Sequence, residues 1–246
     1  MIGFIYAAFA GLSLGLIGGG GSILIVPILV YSFKFDSKLS VALSLATVGC
    51  ASIVGVIRHT RQKNINFKIA IIFILLAAPG TLFGTYISQF ISNTSQMSFF
   101  AIVMGTAAIF MLRKKNENVS SEVRVKIPAI AFSSFFVGIL TGLIGVGGGF
   151  LIVPALMAFT GMKIKNAIGT SILIISINSL IGFSSYINQI TIPWLFLGQV
   201  ILAMVVGILI GLSLSEKIPQ SILKRIFAIF LLVMAIYIIS KNFYGL

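Results

Sequence analysis

Backbone amides, rather than charged side chains, are the groups in this sequence best placed to hold a ligand. Residues 11–30 read GLSLGLIGGGGSILIVPILV and residues 138–157 read GILTGLIGVGGGFLIVPALM. Twelve of these twenty positions match, at a constant offset of 127 residues. Each copy sets a run of glycines in the middle of a long uncharged stretch. Glycine weakens a helix interior and lets the backbone turn sharply or approach a ligand closely. Where a helix is broken inside a membrane, the N–H groups that start the next half-helix lack intrahelical partners and carry the positive end of the helix dipole. Two such ends facing one another would make an uncharged site that favours an anion. The residues expected to bind substrate are therefore Gly18, Gly19, Gly20, Gly21 and Ser22 in the first copy, with Gly145, Val146, Gly147, Gly148 and Gly149 in the second. Ser22 adds a hydroxyl where the second copy has Gly149, so the site is expected to be asymmetric.

Small polar residues in the stretches after each cluster extend this set: Ser44 and Thr47 in the first half, and Thr170, Ser171, Ser176 and Asn178 in the second. Ser44 and Ser171 occupy equivalent positions of the repeat. Asn178 lies deep in an apolar stretch and serves either as an interhelical hydrogen-bond partner or as a site residue. Pro27 and Pro154 follow the glycines; each removes an N–H and frees an upstream carbonyl, which is tolerated at depth mainly beside protein or a water-filled cavity. Both are expected to kink their helices. Small residues four apart, such as Gly11 and Gly15, also serve as plain helix-contact faces. Cys50 reads as a small packing residue, His59 as an interfacial residue beside Arg58, and Trp194 as an interfacial anchor.

The elements that must position these groups follow from composition. The chain has 246 residues, 59% of them hydrophobic and 9% charged, against about a quarter charged in a soluble domain. Several uncharged runs far exceed the roughly 20 residues that cross a bilayer, and none shows the alternation of a membrane strand. An all-α polytopic membrane protein is the expected fold class. The net charge of +13 lies between and beside the hydrophobic runs, where membrane topology puts it, so no nucleic-acid partner is expected. All four acids, Asp36, Glu117, Glu122 and Glu216, sit in loops. With no nucleophile, acid or metal cluster at depth, neither catalytic residues, nor a metal site, nor a cofactor is expected, and the chain does not read as an enzyme. A nucleotide-binding GxxxxGK[ST] motif is missing from the sequence, so no activity driven by nucleotide hydrolysis is expected.

Residues 1–33 are too long for one upright span, and they are either one broken, tilted crossing or a re-entrant pair. Residues 127–162 pose the same choice. Charge decides between them. With re-entrant glycine segments, the loops at 58–68, 113–126, 163–165 and 216–225 share one face and hold fourteen of the seventeen Lys and Arg residues. With crossing segments the split is ten to seven. The bias favours re-entry, with both termini outside. The expected organisation is a first transmembrane repeat at 1–112, a cytoplasmic linker at 113–126 and a second repeat at 127–246. Each repeat holds one Gly-rich re-entrant or broken segment and three full spans, an odd number that inverts the halves relative to each other. Residues 91–98 are expected as a polar turn, and the run 166–215 is expected to divide near 187–193.

The doubled G-x-x-x-G-x-x-G-x-G-G-x-x-x-x-x-P pattern at 11–27 and 138–154 resembles the TauE/SafE family of sulfite exporters and related permeases. Residues 167–171 (AIGTS) resemble the family's A-x-G-T-S, and 59–67 its basic loop, with Lys63 where glycine is usual. Leu43 departs from the pattern in the first repeat, standing where the second has Thr170. The resemblance covers essentially the whole chain. It implies a permease in the cytoplasmic (inner) membrane that moves a small anion, typically sulfite, a sulfonate or another organosulfur compound. The expected partners are that anion and membrane lipid, and the sequence leaves a homo-oligomer open. Alternating access of one half against the other is the expected mechanism, with a passive anion channel as the alternative.

Overall fold

The computed structural model describes residues 2–19, 21–112, 127–144, 149–162, 164–215 and 218–244. Among them the secondary structure is entirely helical. The first half contains α1 (Ile2–Ile17), α2 (Ser22–Pro27, continued by a π-helical turn at Ile28–Ser32), α3 (Ser37–Arg61), α4 (Phe67–Ser88) and α5 (Asn93–Leu112). The second contains α6 (Ile127–Ile144), α7 (Gly149–Thr160), α8 (Ile164–Ser184), α9 (Trp194–Ser215) and α10 (Gln220–Tyr244). Among the described residues, α3, α4, α8 and α9 are long and apolar enough to cross a membrane.

The first glycine segment folds back on itself. Gly3, at the start of α1, lies against the ring of Phe33, just past the π-helical turn, and Phe4 meets the same ring edge-on. At the other end, Gly21 lies against the Ala10 carbonyl and the Leu14 backbone of α1. The two arms therefore run in opposite directions and the chain leaves the hairpin on the side where it entered. Pro27 sits at the end of the α-helical part, and the helix widens into its π-helical turn directly after it. Loss of the proline N–H forbids the regular i to i−4 bond there, so the wider turn is a local answer to that missing donor.

Close glycine contacts join the halves. Gly11, Gly15, Gly207 and Gly211 let α1 and α9 touch backbone to backbone, each glycine lying on a carbonyl of the other helix (Met204, Ile208, Ala8 and Leu12). Gly138, Gly142, Gly80 and Gly84 do the same for α6 and α4, on Ala77, Thr81, Phe135 and Ile139. Adding or subtracting 127 residues converts one set of contacts into the other, member by member. The Gly11 and Gly15 face is thus a packing face. Any side chain at these positions would drive the helices apart.

Helices α3 and α8 form the centre. In their most apolar stretches 72% of α3 and 67% of α8 is buried, against 39% for α4 and for α9. Gly55 packs on Ile172, and Leu45 on Gly182, so α3 and α8 run antiparallel. On the outside, α5 packs along α10.

Helix boundaries depart from expectation at one turn. The polar stretch 91–98 is mostly helix, because the Ser92 hydroxyl accepts the Ser95 N–H and caps α5, which starts at Asn93. The break near 187–193 is a loop over 185–193, and the Pro193 carbonyl accepts the Leu197 N–H as α9 begins. The linker at 113–126 lies outside the described residues.

Candidate functional site

The turn between α1 and α2 is built from backbone that only glycine supplies easily. Gly18 ends α1 in the left-handed region, at φ +76°, and its N–H returns to the Leu14 carbonyl at 2.8 Å. A side chain there would also strike Ile168 of α8. The Gly18 carbonyl accepts the Ser171 hydroxyl at 2.8 Å, and the Gly19 carbonyl accepts the Ser22 hydroxyl at 2.8 Å. Gly21 precedes α2 in helical geometry with no side-chain cap. Gly18, Gly19, Gly21 and Ser22 are all buried.

Gly149, the first residue of α7, lies against this turn: a β-carbon built on it would stand 2.8 Å from Gly19 Cα. Two of the expected site residues, one from each half, are therefore in backbone contact. Gly20, Gly145, Val146, Gly147 and Gly148 lie outside the described residues. Pro154 lies inside α7.

The expected polar residues divide into two groups. Ser171 and Thr170 are engaged. Ser171 bonds to Gly18, and Thr170 Oγ1 accepts the Asn66 N–H at 3.0 Å. Asn66 caps α4, its side chain accepting the Ile69 N–H at 3.1 Å. The departure at Leu43 has a counterpart in this contact. By the 127-residue offset, Leu43 corresponds to Thr170 and Pro193 to Asn66. Proline has no N–H, so the second repeat offers no donor at Pro193 for a threonine at position 43 to receive. Ser176 is also engaged, donating to the Gly49 carbonyl at 3.0 Å.

Ser44, Thr47 and Asn178 form the other group. Each is fully buried, and the Ser44 and Thr47 hydroxyls and both amide atoms of Asn178 have no hydrogen-bond partner. Ser171, Ile175 and Asn178 share one face of α8 by their spacing. Ser171 reaches Gly18 on that face and Ile175 lies against Gly149, and Asn178 lies about one turn further along the same face. Ser44 and Thr47 hold the equivalent face of α3. Leaving such groups dry and unpaired costs roughly 1–3 kcal/mol each on protein mutational scales. They are the groups with spare capacity to solvate a ligand.

Among the described residues, sequence reasoning missed further buried hydroxyls without partners, those of Ser52, Thr85 and Ser179. Ser52 and Ser179 were findable, being related by the same 127-residue offset. His59, expected at the membrane interface, lies in the last turn of α3 and is buried, and its repeat counterpart Tyr186 is buried too. Tyr186 hydrogen-bonds Ser88 at 2.8 Å; burial pushes its phenol above the ordinary value, and this bond partly offsets the shift. Cys50 is half-buried, and Trp194 opens α9 largely exposed, edge-on to Phe183. Lys63 holds φ +56°, which explains physically why glycine would suit that loop position.

Among the described residues no Asp, Glu, Lys or Arg side chain is buried. The surroundings of Gly19 and Gly149 are thus dipolar rather than charged. Such a setting offers hydroxyl, amide and backbone groups to a small solute in place of its water shell.

Comparison with known proteins points the same way. The model of the family described as sulfite exporter TauE/SafE matches residues 3–238. A probable membrane transporter protein of Xylella fastidiosa strain 9a5c is 30% identical over 243 residues, which cover 96% of this chain and 93% of that protein. The probable membrane transporter protein YdhB of Bacillus subtilis is 29% identical over 231 residues, 90% of this chain and 91% of its own length. A third such protein, from Methanocaldococcus jannaschii, is 30% identical over 233 residues, covering 90% and 85%.

Proposed function

The chain belongs to the sulfite exporter TauE/SafE family, and from that premise we propose that it moves a small anion, a sulfite, sulfonate or other organosulfur anion, by alternating access. That it is a multi-pass membrane transporter follows from the family, its relatives and the long apolar helices. The anion is our reading, and it rests on this: Gly19 and Gly149 are in backbone contact beside α8, the buried hydroxyl and amide groups of Ser44, Thr47 and Asn178 on α3 and α8 have no partner, and no acidic side chain is buried among the described residues. A cation site at that depth would ordinarily carry a carboxylate.

In this reading Gly18, Gly19, Gly21, Ser22 and Gly149, with Ser44, Thr47 and Asn178, form the binding site. Gly20, Gly145, Val146, Gly147 and Gly148, which lie outside the described residues, belong to the same proposed site. Ser171 and Thr170 position it, the first by holding Gly18 and the second by fixing the loop before α4. Residues 1–112 and 127–246 are two inverted repeats joined by a cytoplasmic linker at 113–126. The antiparallel course of α3 and α8 and the glycine contacts that interchange under the 127-residue offset support this. Each glycine segment is a re-entrant hairpin, both termini lie outside, and the protein resides in the cytoplasmic membrane. It acts as a carrier rather than an enzyme.

Purified protein in proteoliposomes tests the proposal. Sulfite, thiosulfate, sulfate, taurine and sulfoacetate are offered in turn, and saturable uptake with counterflow is expected for at least one sulfur oxyanion. Large voltage-driven currents without counterflow would indicate a channel instead. No flux of any anion would overturn the anion assignment.

A further inference from the structure

We propose that the outward groove between α3 and α9 is a binding site for an anionic phospholipid. The groove encloses about 370 Å³ and is lined by Val54, Ile57, Arg58, Arg61 and Leu209. It lies on the side of α3 turned away from α8. Gly55 packs on Ile172 of α8, whereas Ile53 and Ile57 stand 44% and 50% exposed. Leu209 is 47% exposed on the α9 wall. In a membrane protein such exposed apolar walls face lipid chains, and a soluble ion gains nothing from them.

The polar end of the groove has the complementary charge. Arg58 and Arg61 are three residues apart in the last turn of α3, one helical step along the same face. Cations are favoured at this end of a helix. Arg58 Nη1 donates to the Ser213 hydroxyl of α9 at 3.2 Å, and that hydroxyl donates to the Leu209 carbonyl at 3.0 Å. The guanidinium of Arg58 is thereby tied to the second wall, at the mouth of the groove. Arg61 beside it is exposed. Two planar forks above an apolar slot match a phosphodiester with its acyl chain lying along Val54, Ile57 and Leu209. Basic pockets between membrane helices are settings for such headgroups. The occupant does not depend on which solute is transported.

Thermal denaturation of the full-length protein in mixed micelles tests the site. Phosphatidylglycerol is expected to raise the Tm by roughly 2–4 °C more than phosphatidylcholine does, as a ligand that binds only the folded state would. The Arg58→Gln/Arg61→Gln double variant should lose that increment, and inorganic phosphate should give none. A second variant, Leu209→Trp, fills the slot without touching the charges and should also lose it. An unchanged increment in either folded variant, or an equal shift from phosphatidylcholine or inorganic phosphate, overturns the proposal.

Discussion

Ser176 donates its hydroxyl to the carbonyl of Gly49, the residue 127 positions earlier that occupies the same place in the other repeat. A residue that bonds its own counterpart must lie close to whatever axis relates the two halves. Around this bond the contacts are reciprocal: Gly55 meets Ile172, and Gly182 meets Leu45. At the crossing of α3 and α8, contacts therefore interchange under the 127-residue offset. Gly18, through Ser171, and Gly149 at the start of α7, through Ile175, both contact α8.

Ser176→Ala removes a buried hydrogen bond at that crossing. The expected loss is about 1 kcal/mol of stability, since the Gly49 carbonyl retains its place in the helix ladder. Thermal denaturation in detergent checks it. Transport KM should stay within twofold of the parent, because this hydroxyl is already committed to the protein.

Thr47→Val should behave in the opposite way. The Thr47 hydroxyl is buried without a partner, so replacing it with a methyl removes a desolvated polar group and is expected to raise stability by up to roughly 1–3 kcal/mol. If the group serves the substrate, uptake falls as stability rises, a trade expected of binding residues. Asn178→Leu should show the same divergence. Paired measurements of Tm and uptake decide; a fall in both would make these residues structural.

The Thr170 and Asn66 pair allows a cycle test. Thr170→Val strands the Asn66 N–H and should cost roughly 1–3 kcal/mol. Asn66→Pro removes that donor, copying the Pro193 and Leu43 arrangement of the other repeat, though it also gives up the cap on Ile69. In the Asn66→Pro background, Thr170→Val should cost almost nothing. A coupling energy of about 1–2 kcal/mol from denaturation of the four proteins is expected, and additivity would break the pairing.

Much of this arrangement is legible in the chain because duplication makes it so. The 127-residue offset marks both glycine turns and pairs Ser44 with Ser171. Loop charge points to re-entrant segments, and the contact of Gly3 with Phe33 brings the two arms of the first one side by side. What stayed hidden depends on direction and partner. Ser171 and Ser44 read alike, yet one hydroxyl is spent on Gly18 and the other is unpaired. Thr170 reads as a site residue until the distant Asn66 N–H arrives at its hydroxyl. Residues 91–98 read as a polar turn because a capped first helical turn made of Asn, Thr, Ser and Gln has the same composition as a loop. His59 sits beside arginines in sequence, and only packing decides that it points inward.

Gly149 and Gly198 make the sharpest comparison, since both are helical glycines and both can be changed to alanine. At Gly198 nothing lies within 4 Å of an added β-carbon, so Gly198→Ala should be neutral or stabilise α9 by up to about 1 kcal/mol through helix propensity. At Gly149 the added carbon meets the Ile175 side chain and stands 2.8 Å from Gly19 Cα. Ile175 can rotate away, but the backbone of Gly19 cannot, so Gly19 and the start of α7 must separate. Gly149→Ala is therefore expected to leave a folded, extractable protein with uptake reduced at least tenfold, the scale of about 1.4 kcal/mol in the barrier. Uptake by both variants at the parental rate would mean that the contact between the turns is packing alone, and the anion would have to be held elsewhere in the bundle.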